Sequence, residues 1–178
     1  FYGCSNLVNA PAIPNSVTDM YYTFRACSRL VNVPVIPNSV TNMYYTFGNC
    51  SNLVNAPAIP NSVTDMRYTF YGCSNLVNAP AIPNSVTTMA YTFRLCSNLV
   101  NAPVMGSKVV NMLGSFQNCT NLIGDITLVN ANITNLTNCF YGTNASKAKT
   151  LYVPSGSATY TKAMAQCDGK NGVTVVAY

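Results

Sequence analysis

The chain repeats itself every 23 residues, and no other feature restricts its fold as much. Phe1, Phe24, Phe47, Phe70, Phe93 and Phe116 stand at equal intervals. So do Cys4, Cys27, Cys50, Cys73, Cys96 and Cys119, and with them Leu7, Leu30, Leu53, Leu76, Leu99 and Leu122. The first four copies are nearly identical, the fifth drifts to MGSKVVNMLGS over its second half, and the sixth, Phe116 to Cys139, is one residue longer and keeps only an apolar skeleton. A unit this short cannot bury its own apolar side, so equivalent residues of successive units must stack and share one interior. Decay of the pattern toward one end is how such an array approaches a cap.

Within a unit the apolar spacing changes halfway. Val17, Met20, Phe24 and Cys27 are separated by three, four and three residues, which predicts a short helix with one inward face. Ser16 stands where it caps the first turn, and Asp19 where a capping-box partner would sit. Leu30, Val33 and Val35 follow at steps of three and two, the mark of a chain passing into extended structure. Each unit therefore reads as a short extended strand, a turn and a short helix. Proline at 11, 34, 57, 80 and 103 cannot donate to a sheet ladder, so the sheet is expected to shrink to about Leu7–Asn9 of each coil, with an unpaired arc from Pro11 onward. The whole is an α/β solenoid over 1–139, with repeats starting at 1, 24, 47, 70, 93 and 116, and a capping unit over 140–178. In the cap, Lys149–Val153 reads as a strand, Pro154-Ser155-Gly156 as a turn, Ser157 or Thr159 as a helix start, and Val173–Val176 as a returning strand. Tyr160, Ala163, Met164 and Cys167 are expected on the inward face of that helix.

Composition narrows the function classes. Hydrophobic residues make up 49% of the chain and charged ones 7%, the opposite of a disordered segment. Asn, Pro or Ser interrupts every apolar stretch, so no membrane span is expected. The net charge of +5 comes from nine scattered basic residues, whereas a nucleic-acid surface needs them clustered on one face. Because the chain opens inside a repeat with no leader, it is expected to be the C-terminal piece of a longer polypeptide, with any signal or anchor upstream.

Catalysis is not expected. Asp19, Asp65, Asp125 and Asp168 are all the carboxylate side chains, histidine is absent, and no nucleophile has an activating partner. No metal or cofactor site is expected either: no C-x-x-C pair occurs, and six of the eight cysteines lie in one internal column, where they read as buried thiols.

Binding is the remaining class, and its candidates are positions that vary while their neighbours do not. The residue after each Met runs Tyr21, Tyr44, Arg67, Ala90, Leu113; the residue after each Phe runs Tyr2, Arg25, Gly48, Tyr71, Arg94, Gln117. On a helix these columns are four apart and side by side. Tyr22, Tyr45, Tyr68 and Tyr91 form a constant column beside them. Tyrosine and arginine dominate interface hot spots, so Tyr21, Tyr22, Arg25, Tyr44, Tyr45, Arg67, Tyr68, Tyr71, Tyr91 and Arg94 are the ligand-contact candidates. The constant column also serves simply to stack across coils and shield the seams. On the opposite side, the column of Asn9 and its copies reads as satisfying neighbouring amides.

The string VTDMYYTFRACSRLVNVP, with Val17, Met20, Phe24, Cys27 and Leu30 in a V-T-x-M-x-x-x-F-x-x-C-x-x-L frame, resembles the leucine-rich repeats of BspA-like bacterial surface proteins. IPNSVT, Ile13 to Thr18, is similar to the turn before the helix in the Treponema-type repeats of that group. The resemblance implies a right-handed leucine-rich-repeat-like coil, an extracellular or cell-surface setting, and an adhesion or protein-interaction role toward a host, neighbouring-cell or matrix protein. A structural spacer carrying another domain, and glycan binding through the tyrosine column, stand as alternatives. In an oxidising exterior, Cys139 and Cys167, both outside the cysteine column, are candidates for a disulfide pinning the cap.

Overall fold

The computed structural model describes residues 1–167 and 169–178. Successive 23-residue units lie one on another, and over the segment from Met20 to Ala26 and its copies their backbones are joined from coil to coil at every second residue. Met20 N donates to Asn42 O at 3.0 Å, Tyr22 N to Tyr44 O at 3.1 Å, Phe24 N to Thr46 O at 2.9 Å and Ala26 N to Gly48 O at 2.7 Å. The alternate amides close tight turns within the coil: Thr23 N to Met20 O, Arg25 N to Tyr22 O and Cys27 N to Phe24 O.

This arrangement replaces the helix expected in each repeat. An α-helix needs its amides to run along its own axis to the carbonyl four residues back, and here half of them leave sideways for the next coil. Two positions per coil are also left-handed, among them Tyr22 (φ 56°) and Ala26 (φ 61°), then Tyr45 (55°) and Asn49 (62°), which ends right-handed helical winding. A run of turns brings the chain back to the same face every three or four residues, so it imitates the helical spacing of Val17, Met20, Phe24 and Cys27 without being a helix. The expected capping roles change too. Ser39 and Ser85, equivalents of Ser16, donate across the seam to Val17 O and Val63 O, and Asp19 Oδ1 accepts the amide of Tyr21, two residues on.

The expected strand of each repeat contracts to single parallel bridges at asparagine, such as Asn9↔Asn32 and Asn78↔Asn101. A second bridge column runs through Asp19, Asn42, Asp65, Thr88, Asn111 and Asn135. The proline-bearing arcs between the two columns carry no strand.

Side chains fill the interior as continuous stacks. From Phe1 to Phe140, ring centroids lie 5.3–5.7 Å apart with planes within 10°. Met43, Met66, Leu53 and Leu76 are fully buried beside them. Cys27, Cys50, Cys73, Cys96 and Cys119 each donate Sγ–H to the phenylalanine carbonyl of the preceding coil, as Cys50 does to Phe24 O at 3.0 Å and Cys73 to Phe47 O at 3.1 Å, whereas Cys4 at the open end of the column is exposed. Burial pushes the Cys50 thiol up to about 12, so these residues act as small apolar groups with one weak donor. Buried Thr46, Thr69, Thr92 and Ser115 likewise donate to Met20, Met43, Met66 and Met89 carbonyls.

Regular secondary structure is confined to the C-terminal part. Strands β1 (Gly124–Thr127), β2 (Lys149–Val153) and β3 (Val173–Ala177) form a parallel sheet in that order, with Ile126 beside Leu151 and Leu151 beside Val175. Helix α1 (Ala158–Gln166) begins at Ser157, whose Oγ accepts the Tyr160 amide at 3.0 Å. Ala163 and Cys167 are buried and Tyr160 half-buried, whereas Met164, expected inward, is 40% exposed; the helix makes only a narrow contact. Thr159 ties α1 to the array, its hydroxyl donating to Asn130 O at 2.7 Å and accepting from Ile133 N at 2.8 Å. Lys149, buried in β2, places its ammonium on the carbonyls of Asn144 and Lys147.

Candidate interaction surface

The tyrosine and arginine candidates gather on one side of the array, in an order the helical reading did not give. Because the segment is a run of turns, the constant column Tyr22, Tyr45, Tyr68, Tyr91 takes the middle, between the column after Met and the column after Phe. Tyr22 lies 4.3 Å from Tyr21, Tyr45 lies 5.4 Å from Tyr44 on one side and 5.6 Å from Tyr71 on the other. The two variable columns are therefore neighbours of the middle column rather than of each other.

The middle rings stack on one another along the array: Tyr22 on Tyr45 at 5.0 Å, Tyr45 on Tyr68 at 4.5 Å and Tyr68 on Tyr91 at 4.9 Å, with planes within 24°. All four residues are left-handed, φ 55–58°, a conformation that costs an ordinary side chain about 1–2 kcal/mol; the inter-coil amide bonds and ring stacking hold them there. Stacking also decides what the surface shows. The ring faces are turned to one another, so what points outward is edges and hydroxyls.

Burial is the first cause that pushes the Tyr45 phenol up to about 12, followed by its neighbours Tyr71 and Tyr68. Tyr21, Tyr44 and Tyr68 are raised in the same direction, burial again leading. Below that range these hydroxyls stay protonated and can both donate and accept.

Arginines complete the surface in two states. Arg67 is neutralised: its Nε reaches both oxygens of Asp65 at 3.0 and 2.9 Å, its guanidinium lies over Tyr44 at 5.1 Å, and the carboxylate raises its pKa. Arg25 lies over Tyr22 and Tyr45, both at 5.0 Å, and over Tyr2 at 5.4 Å, donating Nη1 to the Tyr2 hydroxyl at 3.1 Å. Arg94 lies over Tyr91 at 5.6 Å and Tyr71 at 5.7 Å. Tyr21, stacked on Tyr44 at 5.2 Å, is 56% exposed and is the member of the set most open to solvent.

On the opposite side the asparagines bond to one another, Asn32 Nδ2 to Asn9 Oδ1 at 2.6 Å and Asn98 Nδ2 to Asn75 Oδ1 at 3.3 Å. Val35, read in the sequence as one step of the apolar pattern of the extended segment, is 87% exposed, and its copy Val104, which the sequence reading passed over, is 78% exposed; other copies carry alanine there. The signal was the departure from the repeated NAPAIP, to NVPVIP in the second copy and NAPVMG in the fifth. Cys139 and Cys167 line one cavity with Asn138, Phe140 and Gln166, and burial raises the Cys139 thiol well above its ordinary value, Cys167 adding to the shift. Cys139 occupies the position that Thr or Ser holds in earlier coils. Of the four acids, Asp168 lies outside the described residues; Asp19 and Asp65 are spent on turns, and Asp125 stands exposed on β1. Among the described residues no three His, Cys, Asp or Glu side chains gather into a metal-holding group, and no helix is long and apolar enough to cross a membrane.

A family model described as BspA type leucine rich repeat region matches the chain in six copies, over residues 1–122 and 54–169. No curated protein and no solved structure matches it.

Proposed function

The chain belongs to the BspA-type leucine-rich repeat family, and from that premise we propose that it is a non-enzymatic, extracellular adhesion or protein-interaction module of a bacterial surface protein. Its contact face is the tyrosine–arginine side of the array, and its partner is a host, neighbouring-cell or matrix protein. The observation that carries this reading is the display of phenol edges and guanidinium groups on a backbone fixed by inter-coil bonds. Tyrosine and arginine on a rigid support form contacts at low entropic cost.

The ring stacking also favours a second reading, a spacer whose tyrosines only shield the seams between coils. Sugar stacking has less support, since it needs open ring faces and the middle column turns its faces inward on its own neighbours. The test is Tyr21→Ser with Tyr44→Ser, two rings at the edge of the set. Adhesion of the purified protein to immobilised matrix proteins or cells is expected to fall while the thermal unfolding midpoint stays within a few degrees. Adhesion unchanged in a folded variant would hand the molecule to the spacer reading.

A further inference from the structure

The column after phenylalanine carries a longer period than the repeat itself. Tyr2, Arg25 and Gly48 are followed by Tyr71, Arg94 and Gln117, so the same Tyr–Arg–spacer order returns every third coil. In both copies the guanidinium lies over two rings of the preceding coil, Tyr2 and Tyr22 for Arg25 and Tyr71 and Tyr91 for Arg94, and Arg25 also lies over Tyr45 of its own coil. In both, the Nε is buried and has no hydrogen-bond partner. Among the described residues the salt bridge of this face belongs to Arg67 and Asp65, and no carboxylate of the described residues answers Arg25 or Arg94. Two cations are thus held against aromatic rings in a chain of net charge +5, with no counter-ion among the described residues.

The geometry points to a pair of carboxylate-receiving sites for an acidic, extended polypeptide lying along the array. Three coils at the parallel inter-strand spacing span about 14 Å, and four residues of extended chain at about 3.4 Å each span the same length. Even spacing puts both side chains on one face of the extended segment, so acids at i and i+4 meet Arg25 and Arg94 together. The rings fix each guanidinium before contact and reduce the entropy lost on binding. A polypeptide is favoured over a nucleic acid or polysaccharide because the stacked tyrosines offer few ring faces for a base or a sugar.

This rests on the reading of the same face as a protein-binding surface, and the experiment separates the two. A dye-labelled, Thr/Val-rich peptide with aspartates at i and i+4 is titrated with the protein by fluorescence anisotropy, beside its Asn version and one with adjacent aspartates. Arg25→Gln and Arg94→Gln are each expected to weaken binding about fivefold, and about 25-fold together if independent. The adjacent-aspartate peptide, whose acids point to opposite faces and meet one arginine at a time, should bind no better than a singly substituted protein binds the original, and added salt should weaken only the aspartate peptides. Should a Gln variant fail to fold, Arg25→Lys, which keeps the charge and loses the planar fork, is expected to weaken binding in the same direction. Equal affinity for both aspartate spacings, binding within twofold in the Arg variants, or preference for a sulfated oligosaccharide would each overturn the inference. Adhesion lost in the tyrosine variant but retained in the doubly substituted arginine protein would overturn this inference alone, whereas adhesion retained in the tyrosine variant would remove the contact face itself.

Discussion

The repeated coils and the C-terminal unit reach stability by opposite uses of the backbone. In the coils, amides are spent on the next coil and on tight turns, two residues per coil are left-handed, and order comes from each side chain meeting its own copies. In the C-terminal unit, β2, β3 and α1 are ordinary local structures, and single side chains such as Thr159 and Lys149 make the joints. What the difference teaches is that a repeat can specify contacts 23 residues apart while specifying almost nothing about local conformation.

The sharpest way to break this contrast is to remove a ring from the middle of the stack. Phe70→Ala, with both neighbours lost, is expected to cost about 3–5 kcal/mol, read from the denaturant midpoint, whereas Phe1→Ala, where the ring is 54% exposed, should cost well under half of that. Equal losses would mean that the array does not act as one stack. Next in size come the buried hydroxyls: Thr69→Val leaves the carbonyl of Met43 without its side-chain donor and Thr159→Val unfastens α1, each at about 1–3 kcal/mol.

A pair of glycine substitutions sharpens the contrast by sign. Ala163→Gly in α1 is expected to destabilise by about 1 kcal/mol, but Ala26→Gly, at φ 61°, to stabilise by about 0.5 kcal/mol as left-handed strain is relieved against the entropy of glycine. Alkaline pH gives the smallest effect. The Tyr45 phenol is raised in the folded chain, so its contribution is complete below about pH 10 and is lost as pH climbs to about 12. Phenolate absorbance should show a late-titrating component near pH 12, and Tyr45→Phe should reduce it by one ring. In the cap, the proposed Cys139–Cys167 bond predicts that the unfolded, unreduced chain takes up two alkyl groups fewer than its eight cysteines allow; full alkylation would remove it.

The same contrast explains what was legible in the sequence. The inward Met, Phe, Cys and Leu columns were readable because burial needs only spacing, and β2, α1 and β3 because strand, cap and turn signals act over a few residues. The helix of each repeat was misread because a run of turns returns to one face as often as a helix does. A signal against it was present: the second position after phenylalanine holds Gly3, Asn49, Gly72, Asn118 and Gly142, residues that favour left-handed backbone, and all five adopt it. The column of Tyr22 carries such residues only in its late copies, Gly114 and Asn138, while its first four are tyrosine, so the order of columns on the tyrosine face could not be read. The arginine pair was visible as letters, but its lack of a counter-ion is a fact of three dimensions.

The near-identity of the first four coils has a further consequence, for how the chain finds its place while folding. A coil whose neighbours are interchangeable can dock on the wrong copy and loop out a whole unit at little cost in contacts, since every ring and amide would still find a partner of the right kind. Register must then come from what is not repeated. The drifted fifth and sixth copies and the sheet and helix beyond them are the zero mark from which the identical coils are counted.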